Sequence, residues 1–513
     1  MLPTASVPMS LPGLLDSKPA HRTAVVLPEA GIRISYGDLR RQVDDVARSL
    51  AAFGIGRGDR VGMALPNGLP TIVCFLAASV AGTAAPLNPG YKEDEFRFYL
   101  EDTNAKVLLL PPDGAEEARR AVGNVPILTV HMDAQGVVTL AAEPGRRPAP
   151  GTPTTARLAE PGLDDIALIL HTSGSTGRPK RVPLSHANLS ISAQNVARSY
   201  ALTADDVSLC VMPLFHVHGL VASTLATLAS GGTVVVPAKF SPLSFWRIAR
   251  ENGATWYSAV PTLHQLLLAR HEDGAPPPEG AANLRFIRSC SASLAPQLMH
   301  DLETAFGAPV LEAYGMTEAA HQMASNPLPP GRRLPGSVGP GTNVGISIRN
   351  DQGHPLPVGE RGEVCIQGPN VITGYENNPE ANATSFFDGW FRTGDQGVLD
   401  EQGYLTLVGR LKELINRGGE KISPREIDEV LLAHPAIAEA VCFGVPHPTW
   451  GEEVAAAVVL REPVSEADLQ AFCKERLADY KRPKQIHITE AIPRTATGKI
   501  QRRVVAQAFA RLA

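Results

Sequence analysis

Paired cysteines are missing from this sequence. Its six cysteines, Cys74, Cys210, Cys290, Cys365, Cys442 and Cys473, are scattered without C-x-x-C or C-x-x-H spacing. That excludes a zinc ribbon or a vicinal redox pair and fits reduced thiols in the cytoplasm. Basic runs are missing too. With 52 acidic against 47 basic side chains the formal charge is -5, which favours solubility and argues against nucleic acid or an anionic membrane as the main partner. No apolar stretch is long enough to span a bilayer, and the run from Ile72 to Leu87 is short and bounded by polar residues and prolines. The amino terminus lacks a basic start followed by an apolar core, with Pro3, Pro8 and Pro12 breaking its short apolar pieces, so no secretory signal is expected. Nor does Arg511-Leu512-Ala513 resemble a peroxisomal address. Internal repeats are absent.

What is present is ordinary globular composition: 44% hydrophobic and 19% charged residues over 513 positions, enough for roughly two to four domains. Leu39, Val43, Val46, Ala47 and Leu50 recur at helical spacing, which predicts an amphipathic helix from about Tyr36 to Phe53. Strand runs at 60–65, 105–110, 166–171, 207–213, 232–236, 256–260 and 284–289 alternate with helical ones at 71–84, 220–229 and 245–253, the cadence of α/β layers around mainly parallel sheets. From Gly336 the runs shorten between Gly, Asn and Asp, and 364–367 and 404–408 read as antiparallel, barrel-like strands. Past Arg410 a compact segment of about 100 residues is expected to hold two helices and short strands, the first helix opening on a Ser423 cap, Pro424 and Glu426. The expected fold is α/β. A large domain, 1–411, holds two layered α/β subdomains and a small β-barrel-like one, and a mobile α+β domain follows at 412–513.

The run Thr172-Ser173-Gly174-Ser175-Thr176-Gly177-Arg178-Pro179-Lys180 leaves an apolar strand. Its glycines allow a tight turn, its hydroxyls and N–H groups can donate to phosphate, and Lys180 adds a cation; it is not a Walker loop. Further on stand Pro213-Leu214-Phe215-His216, Tyr314-Gly315-Met316-Thr317-Glu318, Phe391-Arg392-Thr393-Gly394-Asp395, Gly409-Arg410-Leu411-Lys412 and Pro493-Arg494-Thr495-Ala496-Thr497-Gly498-Lys499. Taken in this order the series resembles the adenylate-forming superfamily of acyl-CoA synthetases, with a departure at Phe391 where that family often has Tyr. The resemblance covers nearly the whole chain.

That resemblance implies an acid–thiol ligase using ATP, Mg²⁺ and CoA. Residues Thr172 to Gly177 with Lys180 would hold phosphates, Tyr314 would stack on adenine, and Thr317 would donate to the α-phosphate. Glu318 and Thr176 would hold the metal, Asp395 the ribose hydroxyls, and Arg410 ribose or phosphate. His216 would line the acid site, Lys499 would act in adenylation, Lys412 would be the hinge, and Gly418 and Gly419 would admit the CoA thiol. The implied partners are a small carboxylic acid, ATP and CoA, with no nucleic acid, no membrane insertion and no obligatory protein partner. The strings around Ile287 to Leu294 and Thr317 to Met323 resemble the oxalate–CoA ligase branch, with His218, Ser289 and His321 as donors to a second carboxylate. Arg288, by strand alternation, is expected to face packing or solvent. A ligase for malonate or another short or medium acid, and a stand-alone adenylation enzyme loading a carrier protein, are the alternatives; a nucleotide-binding scaffold without catalysis would show damage at Lys180, Glu318, Asp395 or Lys499, and all four are intact.

Overall fold

The structure, a computed structural model, describes residues 6–145, 158–172, 179–272, 274–495 and 500–509. Ser173, Gly174, Ser175, Thr176, Gly177 and Lys499 therefore lie outside the described residues. The expected α/β layering is present. One sheet has eight strands, running His321–Ser325, Val310–Met316, Phe286–Ser289, Trp256–Ala259, Val207–Leu209, Thr233–Val235, Thr23–Leu27 and Ile32–Ser35 in space. Its inner neighbours pair parallel and its two outermost pairs antiparallel. A second sheet has seven strands, with Ile166–Thr172 and Lys180–Ser185 forming an antiparallel edge.

Both sheets feed one core. The Tyr36–Ala52 helix forms because its apolar residues recur on one face, which is buried from Tyr36 to Leu50, and because the Ser35 hydroxyl accepts the Asp38 N–H at 3.1 Å. The Leu69–Ala81 helix is buried almost all round, which is why its sequence mimics a membrane run while serving as core. It stops at Gly82, and residues 83–86, partly expected as helix, form a strand. Among the described residues no helix is long and apolar enough to cross a membrane.

A five-stranded antiparallel sheet built on Trp390–Leu399 follows, then a second five-stranded sheet from Ile415 to Ile488 with a core of its own. That last unit differs from expectation in two respects. Its central hairpin, Ile437–His447 with Gly451–Leu460, is long, and the described residues include a third helix, Arg502–Phe509. Ser423 does not cap the Pro424–Leu432 helix: its hydroxyl donates to the Val408 carbonyl at 2.5 Å, tying the helix start to the preceding sheet, while Glu426 accepts from Lys481 at 2.7 Å.

Candidate functional site

The residues expected at the nucleotide end converge. Thr172 and Lys180 are cross-strand partners at the base of the phosphate-loop hairpin. The Thr172 hydroxyl lies 3.5 Å from Glu318 Oε1, which also accepts the Tyr375 phenol at 2.9 Å. Lys180 Nζ stands 4.4 Å from the centroid of the Tyr375 ring. Burial pushes the Glu318 carboxyl up and the Lys180 ammonium down from their ordinary values, since each charge is partly removed from water. Asp395 and Arg410 are also cross-strand partners, with Arg410 Nε 3.2 Å from Asp395 Oδ1, and Tyr314 donates its phenol to the other Asp395 oxygen. The Asp395 charge holds the Arg410 guanidinium above its usual value, and burial raises the Tyr314 phenol. Thr317 is buried in the turn between Met316 and His321, and Lys412 sits close enough for its charge to be felt at Lys180. Gly418 and Gly419, both left-handed at φ 61° and 95°, form the turn of a tight hairpin. A Cβ on Gly418 would lie 2.8 Å from the Trp450 ring, so packing already requires glycine there.

At the acid end the structure corrects the sequence reading. Arg288 does not face solvent. It is fully buried, donating from Nε to Tyr200 Oη at 2.8 Å, from Nη1 to Ser258 Oγ at 3.0 Å, and from Nη2 to Gln322 Oε1 at 3.2 Å and His321 Nδ1 at 3.5 Å. None of these partners is a carboxylate. Alternation puts Phe286 and Arg288 on one face, with Tyr200 and Trp256, and Ile287 and Ser289 on the other. Ser289 is therefore not brought to the cluster. Its hydroxyl is buried and without a partner among the described residues.

His218 and His321 do meet, edge to face, with ring centroids 5.1 Å apart. His218 Nε2 lies 2.6 Å from Ser258 Oγ and Nδ1 lies 3.0 Å from Ser291 Oγ. Because arginine can only donate, Ser258 accepts from Arg288, and its hydroxyl is free either to donate to His218 Nε2 or to accept from it. A neutral His218 donates from one ring nitrogen and accepts at the other, so in either tautomer it bridges Ser258 and Ser291. The same rule makes His321 Nδ1 an acceptor and puts its proton on Nε2. Burial, and next the Arg288 charge, hold both imidazoles well below their ordinary pKa, so they are neutral donors at pH 7. His216 lies beside them, its Nδ1 accepting the His218 N–H at 3.2 Å.

The backbone is shaped for this. His218 opens a π-helical turn, His218–Leu225, a form that recurs at functional sites, and Gly219 admits the Pro213 carbonyl 2.4 Å from where a Cβ would stand. Ser291, Ala320 and His321 all have positive φ, at 71°, 50° and 115°, strain of the kind that persists where a site over-determines it. A Cβ on Gly315 would lie 2.1 Å from the His321 carbonyl oxygen. Ser291 escaped the sequence reading, although its Ser-rich run after a buried strand was the available signal.

The AMP-binding enzyme pattern matches residues 15–376, and the AMP-binding enzyme C-terminal domain pattern matches 426–499. The chain belongs to the AMP-binding enzyme family. Within that family, it is 49% identical to the oxalate–CoA ligase of Arabidopsis thaliana over 90% of this chain and 91% of that one. It is 43% identical to the oxalate–CoA ligase of Saccharomyces cerevisiae over 96% and 95%. Among solved structures, ATP-bound MatB from Rhodopseudomonas palustris matches with a TM-score of 0.88 and 31% identity, covering 98% of this chain and all of that one. This AMP-binding enzyme thus resembles oxalate–CoA ligases in sequence over nearly its whole length and MatB in fold.

Proposed function

We propose that this AMP-binding enzyme is an ATP-dependent acid–CoA ligase whose acid is oxalate, giving oxalyl-CoA, AMP and diphosphate. The observation that carries the choice of acid is Arg288. A fully buried guanidinium whose partners are all neutral is costly, by several kcal/mol, and an anionic ligand next to it offsets that cost. With Ser291 and His321 supplying neutral donors around one permanent cation, and His218 tying Ser258 to Ser291, the cluster suits a second carboxylate attached directly to the reacting one. Identity to two oxalate–CoA ligases well above that to MatB supports the same reading.

The first carboxylate attacks the α-phosphorus of ATP, forming the acyl-adenylate and releasing diphosphate. The CoA thiol then attacks the acyl carbon, and AMP leaves. Lys180, Thr317 and Lys499 would stabilise charge on the phosphates, Tyr314 and Asp395 would hold adenosine with Arg410, and His216 would border the acid. Magnesium fits the donor set, since it is typically held by one carboxylate together with substrate phosphates. Glu318 and Thr172, with Thr176, would hold it, and its charge would neutralise the phosphates. Lys412 would be the pivot on which residues 412–513 turn between half-reactions, bringing Gly418 and Gly419 to the thiol. Six free, buried thiols support a cytoplasmic setting.

The test is AMP release by the purified enzyme with ATP, Mg²⁺ and CoA across oxalate, malonate, acetate, octanoate and 4-coumarate at matched concentrations. Oxalate is expected to exceed each of the others by about a hundredfold or more in kcat/KM. Equal or faster turnover of malonate or acetate would overturn oxalate and leave the two-step ligase mechanism intact.

A further inference from the structure

Tyr375 belongs to no motif read from the sequence, yet it touches both charged groups of the nucleotide end. Its ring is 6% exposed and is met edge-on by Phe386 and Phe391, with centroids 6.1 and 6.2 Å away. One asparagine grips its backbone from both sides: the Tyr375 N–H donates to Asn382 Oδ1 at 2.7 Å, and Asn382 Nδ2 donates to the Tyr375 carbonyl at 2.9 Å. Flanking residues fix the segment across the site. The Ile372 N–H donates to the Glu318 carbonyl at 2.9 Å, and the Glu376 N–H to the Arg181 carbonyl at 3.1 Å. Tyr375 is thus held between the turn that carries Glu318 and the strand that carries Lys180.

From that position its phenol donates to Glu318 Oε1 at 2.9 Å while its ring face holds Lys180 Nζ at 4.4 Å. Lys180 feels the Glu318 charge, and in a partly desolvated site the two would gain by closing into an ion pair. ATP would then have to break that pair to reach either group. We infer that Tyr375 is a positioning residue that keeps Glu318 and Lys180 apart, its hydroxyl holding the carboxylate and its ring the ammonium, so that both stay open to the nucleotide. The inference rests on the reading of Glu318 as the magnesium carboxylate and Lys180 as a phosphate ligand.

The two halves of the role separate by substitution. ATP binding is measured by calorimetry, with magnesium and with EDTA, for the wild-type enzyme, Tyr375→Phe and Tyr375→Leu, alongside thermal melts. Tyr375→Phe keeps the ring and is expected to bind ATP in EDTA within about twofold of wild type, while the affinity gained on adding magnesium falls about tenfold. Tyr375→Leu also releases Lys180 and is expected to lose about a further fivefold in EDTA. Should the leucine variant melt early, the phenylalanine variant decides. Glu318→Gln and Lys180→Met serve as controls. If they lose the magnesium gain and the EDTA affinity respectively while both Tyr375 variants bind as wild type, Tyr375 has no such role and the reading of the site stands. If the controls also bind as wild type, that reading falls and the inference with it.

Discussion

The two ends of the site handle charge in opposite ways. At the nucleotide end cations and carboxylates stand close together: Asp395 faces Arg410, and Glu318 and Lys180 lie on either side of Tyr375. Arg410 reaches water with half of its side chain exposed, while Asp395, Glu318 and Tyr375 are buried. At the acid end one cation, Arg288, is fully buried among neutral groups and linked by hydrogen bonds through Ser258 and His218 to Ser291. A set of neighbouring opposite charges suits a large ligand that brings its own counter-ion. An uncompensated buried cation suits a small anion that is recognised by charge. On the proposed reading, selectivity for the acid is stored as electrostatic cost in the folded protein, while the nucleotide end holds its charges beside groups that a ligand can displace.

Substitutions at each end should therefore act on different substrates. The largest effect is expected from Asp395→Asn, which removes the counter-charge of Arg410 and replaces one of the two carboxylate acceptors with an N–H donor: kcat/KM for ATP should fall about a hundredfold with little change in KM for oxalate. Steady-state kinetics with each substrate varied in turn checks this, and a matching rise in the oxalate KM would blur the two ends into one. Ser291→Ala is expected to do the reverse and more mildly. Loss of one neutral donor should raise the oxalate KM about tenfold and leave that for ATP unchanged.

The smallest effect concerns stability and pH. Glu312 is a strand neighbour of Ser289, buried, with Oε1 accepting the Leu294 N–H at 3.0 Å and Oε2 without a partner among the described residues. Burial pushes its carboxyl up to about 7. The folded state therefore keeps a proton that the unfolded chain releases above its ordinary carboxylate pKa, so stability is lost as pH rises toward 7. Glu312→Gln should melt like the wild type near pH 5 and increasingly above it by pH 8, by up to about 3 kcal/mol. A difference independent of pH would mean that the carboxyl is not held protonated.

The residues proposed for the nucleotide end could be picked out of the sequence because they sit in contiguous runs: Tyr314 to Glu318 and Phe391 to Asp395 each carry several groups within a few positions. The α/β cadence was legible for the same reason, since the Tyr36–Ala52 helix and the strands around Ile166 and Trp256 declare themselves by local periodicity. The acid end was harder. Alternation puts Arg288 and Ser289 on opposite faces but cannot say which face is the site, and that was decided by Tyr200 and Ser258, 88 and 30 positions away along the chain. Ser291 meets His218 from a backbone of positive φ, which no serine announces. Ser423 had the pattern of a cap, but a carbonyl from the neighbouring sheet competed for its hydroxyl and won. Tyr375 acts on residues 57 and 195 positions away, and nothing nearby in the sequence marks it.

The most direct test of the buried cation is the ratio of kcat/KM for oxalate to that for acetate, in the wild-type enzyme and in Arg288→Met, with thermal melts of both. Methionine fills similar space without charge, so the ratio is expected to fall about a thousandfold while the melting temperature holds or rises, because the variant no longer buries an uncompensated charge. A ratio that survives the substitution, or one lost only together with the fold, would contradict the assignment of Arg288 as the group that recognises the second carboxylate.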